Sequence, residues 1–341
     1  MKKIKSLLLA LATLFLCLFP ASCVKNDVQS DTEYGYFGGT YFTLYDYSGM
    51  KKSEFQSLFS ALHQRLEYYG RLFDIYYEYS GVNNLKTVNL RAGEAVSVPP
   101  EIIDLIEFSK EVYEITLGEV NIAFGAVLSL WHAAREAGNY IPEVAQLRSA
   151  AEHCNIDDVI IDRENSTVRL ADPEMSLDVG AVAKGYAVEL LAEYAESLGA
   201  TSLVIDVGGN MRTVGEHPDG GGWRVHIQNP DLSSKNAYIT TLENVKGAAV
   251  TSGDYQRYFV YQGEKYNHII DKDTLMPAKH FASVSVVCSD SGLGDALSTA
   301  LFAMPLGNAW VLLQELPEVS EAVFINREGQ IFRYTAEQSP R

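Results

Sequence analysis

Basic residues, histidines and cysteines are all scarce in this sequence, and each scarcity argues against a class of function. Lysine and arginine number 27 against 44 aspartates and glutamates, a formal net charge of -17 over 341 residues. A nucleic-acid binder needs a basic footprint on its polyanionic partner, so the charge balance speaks against one. Any phosphorylated ligand must instead be met locally, through a metal or main-chain amides. The 7 histidines include no His-x-x-x-His pair, which speaks against a zinc hydrolase. No Gly-x-Ser-x-Gly elbow, Walker loop or Gly-x-Gly-x-x-Gly turn follows a strand pattern, and "DVGGN" is too short to count. Beyond the leader and Cys23, only Cys154 and Cys288 remain. They can pair outside the cell, although two buried free thiols are the plainer reading. Internal repeats, low-complexity blocks and a second linker are also missing after Tyr34, which favours one intertwined domain.

What the sequence does contain is 47% hydrophobic residues, enough for a sizeable core. It opens with "MKKIKSLLLALATLFLCLFPASC": three lysines, an apolar run from Leu7 to Phe19, then small residues before Cys23. The run is short for a membrane span and has the form of an export signal. We read residues 1–22 as a lipoprotein signal peptide, Cys23 as the lipidation site, 23–33 as a polar tether and 34–335 as the catalytic domain.

The segment "SEFQSLFSALHQRLEYYGRLF" carries Ser53 and Gln56 at capping-box spacing and an apolar stripe of Phe55, Leu58, Phe59, Leu62 and Leu66, which predicts an amphipathic helix. A second helix is expected after Pro99 and Pro100, and a third from about Ala181 to Leu198, closed by Gly199. "TSLVIDVGG", "WRVHIQNP", "RYFVYQG" and "KYNHIID" read as strands, the last two forming a hairpin that turns at Gln262 and Gly263. Strand follows strand from Gly222 to Ser289 without a helix between, so the fold class is α+β, a single domain of mixed or antiparallel sheets with packed helices.

Three stretches place chemistry-bearing residues together. In "GDALSTALF", Asp295 in the first turn of a helix would share a face with Thr299, a carboxylate and hydroxyl suited to Mg²⁺ or Ca²⁺; from spacing alone the plainer reading of the pair is a dipole-complementing acid and a back-bonded threonine. In "SLDVGAVAKGYAVELL", Ala181, Ala183 and Gly185 are small enough for close approach, and Lys184 stands where a helix start can greet a phosphate; tight helix packing beside a solvated lysine is the alternative. In "TSGDYQRYFVYQGEKYNHIIDKDTLMP", His268 and Asp271 leave a strand for a turn, where polar groups face a cleft and a histidine can take a proton. "GEVNIAFGAVLSLWHAAREAG" reads as apolar core near a turn, with a lone amide at Asn121.

Together and in this order, "LDVGAVAKGYAVE", "TSGDYQRYF", "YNHIID" and "DALSTALF" resemble the FAD:protein FMN transferase family, also called the ApbE or flavin transferase family, over nearly the whole mature chain. The resemblance implies a T-fold-like catalytic domain that splits FAD with Mg²⁺. It would attach FMN to a Thr or Ser hydroxyl of an exported or membrane-bound acceptor bearing an Asp-x-x-(Ser/Thr)-x-Thr-like segment, and release AMP. It implies that Ala181, Asp295 and Thr299 hold the metal, that Lys184 contacts FAD, and that His268, with Asp271 nearby, serves the acceptor hydroxyl as base. Tyr76 matches a flavin-contacting aromatic; Glu119, Val120 and Asn121 stand where many members have Ala-Phe-Asp, and Gly38 stands where a Met often touches the cofactor. The acceptor-like stretch "DALSTA" ends in Ala300 without a hydroxyl, and modification is expected in trans. The location implied is the outer face of the cytoplasmic membrane, or its periplasmic side in a two-membrane cell, through the lipid anchor. The competing readings are a lipoprotein that holds or hydrolyses FAD without transferring it, and a solute-binding lipoprotein.

Overall fold

The computed structural model describes residues 28–36 and 39–336; the signal peptide and Cys23 lie outside them. Along the chain run β1 (Gln29–Tyr36), β2 (Thr40–Asp46), α1 (Lys52–Leu72), α2 (Leu85–Leu90), β3 (Ala95–Ser97), α3 (Pro100–Ile115), α4 (Gly125–Ala137), α5 (Val144–Ala151), β4 (Val159–Asp162), β5 (Thr167–Leu170) and α6 (Ala183–Ser197). Then come β6 (Ser202–Val207), β7 (Asn210–Gly215), β8 (Trp223–Gln228), β9 (Tyr238–Val245), β10 (Ala248–Gly253), β11 (Tyr258–Tyr261), β12 (Glu264–Asn267), β13 (Ser283–Cys288), α7 (Ser291–Ala303), α8 (Leu306–Gln314), β14 (Val319–Ile325) and β15 (Ile331–Thr335).

The main sheet has eight strands in the order β1-β2-β6-β7-β10-β13-β14-β15, and its neighbouring strands pair antiparallel. β13 is buried at every position because both faces of the sheet are covered, so it lacks the alternation of a half-exposed strand. On one face α6 and α7 cross the central strands within the largest apolar cluster, which also takes in α1 and α3. On the other face the β8–β9 hairpin lays Trp223, Ile227, Leu242 and Val245 against Val204, Ala249, Val287 and Val323. A third cluster joins Val127, Trp131 and Ala134 of α4 to Phe259 and Tyr266 of the β11–β12 hairpin. No helix among the described residues is long and apolar enough to cross a membrane.

The α+β class, the α3 helix and the hairpin turning at Gln262 and Gly263 agree with the sequence reading; both turn residues have φ above zero, at 51° and 81°, as a tight hairpin turn requires. Gly199, with φ 86°, follows α6 as expected. Three boundaries differ. α1 starts at Lys52, and its first turn is capped by Glu54 rather than by Ser53 and Gln56: the Lys51 N–H donates to the Glu54 carboxylate at 3.1 Å. Residues 29–33, assigned above to the tether, lie in β1, a polar edge strand paired with β2. The stretch after Phe124, read as core near a turn, forms α4, closed by Gly138 at φ 67°. Cys154 and Cys288 are free thiols, the second buried.

Candidate active site

The cleft forms where α7, α6 and β10 meet the segment that follows β12. α7 begins at Asp290, whose carboxylate accepts the Leu293 N–H at 2.7 Å. Asp295 therefore stands in the second turn of α7 and not the first, a correction forced by a cap five residues before it. The carboxylate of Glu189 on α6 accepts the Ser291 N–H at 2.7 Å and is itself held by Arg212 at 2.8 Å, which pins the start of α7 to α6. The two helices touch through Gly185: a Cβ there would lie 2.2 Å from the Ser291 carbonyl oxygen and 2.5 Å from the Asp295 Cβ. Small residues in the α6 motif thus serve close helix packing and, by the same contact, aim Asp295.

Asp295 is almost fully buried. Its carboxylate accepts the Gly185 N–H at 2.9 Å and takes the Lys184 ammonium at 3.2 and 3.4 Å. Lys184 is therefore not a solvated lysine but the counter-ion of Asp295. One helical turn on, Thr299 back-bonds to the Asp295 carbonyl at 3.2 Å and lies 3.3 Å from the Ser252 hydroxyl. The Thr299 hydroxyl is back-bonded, as spacing suggested, and both residues line one cleft of about 350 Å³ with Ala181, Lys184 and His268. One carboxylate, one hydroxyl and an available main-chain carbonyl are the hard oxygen donors that suit Mg²⁺ or Ca²⁺, and the Lys184 ammonium shows that the spot already draws positive charge. No group of three or more acidic, histidine or cysteine side chains that could hold a metal occurs among the described residues, so the donor set relies on neutral oxygens.

His268 directly follows β12. Its Nδ1 and its main-chain N–H each lie 3.1 Å from the Arg257 carbonyl oxygen. A carbonyl can only accept, so Nδ1 carries the proton and Nε2 keeps its lone pair. Desolvation, reinforced by the Arg257 guanidinium, pushes the imidazole down to about 3, which leaves the ring neutral at physiological pH. Asp271 does not share this wall: its carboxylate accepts the Asp273 and Thr274 N–H groups at 2.8 and 3.0 Å and shapes the turn after His268. It positions the loop rather than touching the cleft.

Glu119, Val120 and Asn121 all line the cleft. Val120 is buried, and the Asn121 amide is engaged at both ends, donating to the Cys154 carbonyl at 2.9 Å and accepting the Ala123 N–H at 2.8 Å. Burial pushes the Glu119 carboxyl up, opposed by Lys272 at 3.5 Å. Tyr76 is half-exposed at the boundary between this cleft and a second hollow of about 550 Å³ that shares Asp178, Gly180, Lys184 and Arg257 with it. Gly38 lies outside the described residues; Gly39 lines the cleft. The motif reading missed Asp178 and Arg257, although both stand inside quoted motifs. It also missed His132, whose ring sits 3.7 Å from the Asp178 carboxylate.

Beyond this geometry, the ApbE family model matches residues 39–324. The chain belongs to the ApbE family. Relatives named FAD:protein FMN transferase include one from Treponema pallidum, 32% identical over 257 residues, with 71% of this chain and 70% of the relative covered. Another, from Klebsiella pneumoniae, is 29% identical over 246 residues, covering 72% and 75%. The solved ApbE protein of Thermotoga maritima superposes with a TM-score of 0.77 at 26% identity, over 90% of this chain and 97% of that one. The flavin transferase ApbE of Vibrio cholerae shares the fold, with a TM-score of 0.75 at 22% identity over 91% and 98%. The four motifs quoted from the sequence meet here: α6 touches α7 at Gly185 and Asp295, Ser252 of "TSGDYQRYF" touches α7 at Ser298, and His268 of "YNHIID" bonds the Arg257 carbonyl.

Proposed function

We infer that this chain is an FAD:protein FMN transferase that uses Mg²⁺ and acts on the hydroxyl of an exported protein. Family membership and the naming of its relatives support the transferase activity. The observation that carries the site assignment is that Asp295, Thr299, Lys184 and a neutral His268 line one cleft.

Asp295 and Thr299 side chains and the Ala181 carbonyl would hold the metal, which supplies charge neutralisation at the pyrophosphate. Tyr76 offers a face for the flavin ring. Nε2 of His268 takes the proton from the acceptor Thr or Ser hydroxyl as its oxygen bonds to the phosphorus of the FMN half. The P–O bond to the AMP half breaks with its electron pair on the leaving phosphate, toward which Lys184 can turn its ammonium. In an acidic protein this local set replaces a basic surface. The acceptor is read as another protein: "DALSTA", Asp295 to Ala300, lies inside α7 with Ala300 fully buried, and "DVQSDT", Asp27 to Thr32, which also fits the acceptor pattern, is tested by mass spectrometry of the chain incubated with FAD and Mg²⁺ alone.

Residues 1–22 act as export signal and Cys23 as lipid anchor, which would hold the cleft near membrane-bound acceptors on the outer or periplasmic face. Incubating the mature chain with FAD, Mg²⁺ and a candidate acceptor domain should yield in-gel flavin fluorescence on the acceptor and stoichiometric AMP. AMP without transfer to any acceptor would instead make it an FAD-cleaving protein, and neither product would sink the enzymatic reading.

A further inference from the structure

Ser252 sits near the end of β10, with Val250 two residues earlier on the same face of the strand. A Cβ on Gly294 of α7 would lie 3.0 Å from Val250 Cγ2, and one turn further along the helix the Ser252 hydroxyl meets Ser298 at 2.8 Å and Thr299 at 3.3 Å. β10 therefore runs beneath α7 in step with it, two strand residues for each helical turn.

The protons of this hydroxyl cluster can be counted. The hydroxyl of Ser298, fully buried, lies 3.0 Å from the Asp295 carbonyl. Across the 2.8 Å contact either hydroxyl can donate, so Ser298 gives its proton to the Asp295 carbonyl or to Ser252. The Thr299 proton goes either to the Asp295 carbonyl at 3.2 Å or to Ser252 Oγ at 3.3 Å. In both arrangements a protein acceptor holds it, and the lone pairs of Thr299 remain for the cleft.

We propose that Ser252 is a positioning residue for the divalent cation: by anchoring Ser298 and offering Thr299 a second acceptor, it fixes Thr299 so that a lone pair and not a proton faces the metal. The inference rests on the cation reading given above. It assigns a task to a residue of the "TSGDYQRYF" stretch that is neither acid nor base and touches neither flavin nor phosphate in that reading. A hydroxyl that orients a metal ligand from behind typically changes affinity by about tenfold or more when removed.

The test uses the full mature chain, stripped of metal, and Mn²⁺ binding followed by electron paramagnetic resonance in the absence of FAD. Ser252→Ala should bind Mn²⁺ about tenfold more weakly than the parent, Ser252→Thr should keep parental affinity, and Ser252→Ala should add little when Thr299 is already alanine. Thermal unfolding in chelator checks that the variants fold alike. Parental binding by Ser252→Ala, or a full tenfold loss added on top of Thr299→Ala, overturns the inference while leaving the cation site standing. Parental binding by Thr299→Ala overturns the cation reading and this inference with it.

Discussion

Replacing Lys184 with methionine should tighten metal binding and weaken FAD binding in the same protein. In the structure the Lys184 ammonium lies 3.2 and 3.4 Å from the two oxygens of Asp295, with side chains 21% and 5% exposed. A cation arriving at Asp295 must displace that ammonium. Two unit charges about 4 Å apart attract by ~4 kcal/mol at an effective dielectric of about 20, but the displaced lysine regains water. The pair lies between surface bridges, worth ~0–1 kcal/mol, and fully buried ones that cost ~3–5 kcal/mol to break. A net ~1–2 kcal/mol is therefore removed from the cost of metal entry, or roughly five- to thirty-fold in affinity. Isothermal titration of the metal-free chain with Mg²⁺, with and without the substitution, reads this directly. FAD affinity, measured by equilibrium dialysis in Mg²⁺, should fall because a phosphate contact is gone. In chelator the variant should also melt earlier, since Asp295 keeps only the Gly185 N–H at 2.9 Å, and saturating Mg²⁺ should restore it. Unchanged or weaker Mg²⁺ binding would refute the view of Lys184 as a resident counter-ion.

His268→Ala should lower FMN transfer by about 10²- to 10⁴-fold and leave FAD binding nearly intact; equal losses in both would make it a cofactor contact. Because the folded imidazole lies near 3 and an unfolded one near 6.5, the unfolded chain binds more protons between those values. The stability that the neutral ring contributes is present above about pH 6.5 and is lost as pH falls toward 3. Urea unfolding of wild type and His268→Gln from pH 7 to 4 should show the wild type losing more, and parallel curves would contradict the assignment. Gly185→Ala should destabilise by about 2–3 kcal/mol, by the overlap with Ser291 and Asp295, and a variant with unaltered urea midpoint would mean the helices can part freely.

The elements legible in the sequence were those whose signals are local. α3 carries its own Pro start and apolar stripe, and the Gln262–Gly263 turn carries its own conformational requirement. β1 was not legible because an edge strand facing solvent needs no apolar alternation, and "QSDTEYGY" has the composition of a linker. α7 was misplaced at its start because its cap, Asp290, precedes two glycines that weaken the helical pattern. Within the site, Asp178 and Arg257 went unseen although they stand inside quoted motifs, because residue type alone does not say which motif side chains face the cleft, and His132 meets Asp178 through a contact between residues far apart in the chain. Asp271 was assigned to the cleft because a side chain's direction after a strand depends on the turn that follows, which the residue types alone do not set.

The contact at Gly185 limits how this protein can diverge. The same approach that seats α6 on α7 also hands the Asp295 carboxylate its main-chain hydrogen bond. At the proposed cation site, a lineage selecting for a different ion cannot adjust the Asp295 side without disturbing the helix pair, so that side is mutationally closed. Freedom to retune lies instead along β10 and the outer turn of α7, at positions such as Ser252 and Thr299, where a side chain can change without moving a backbone.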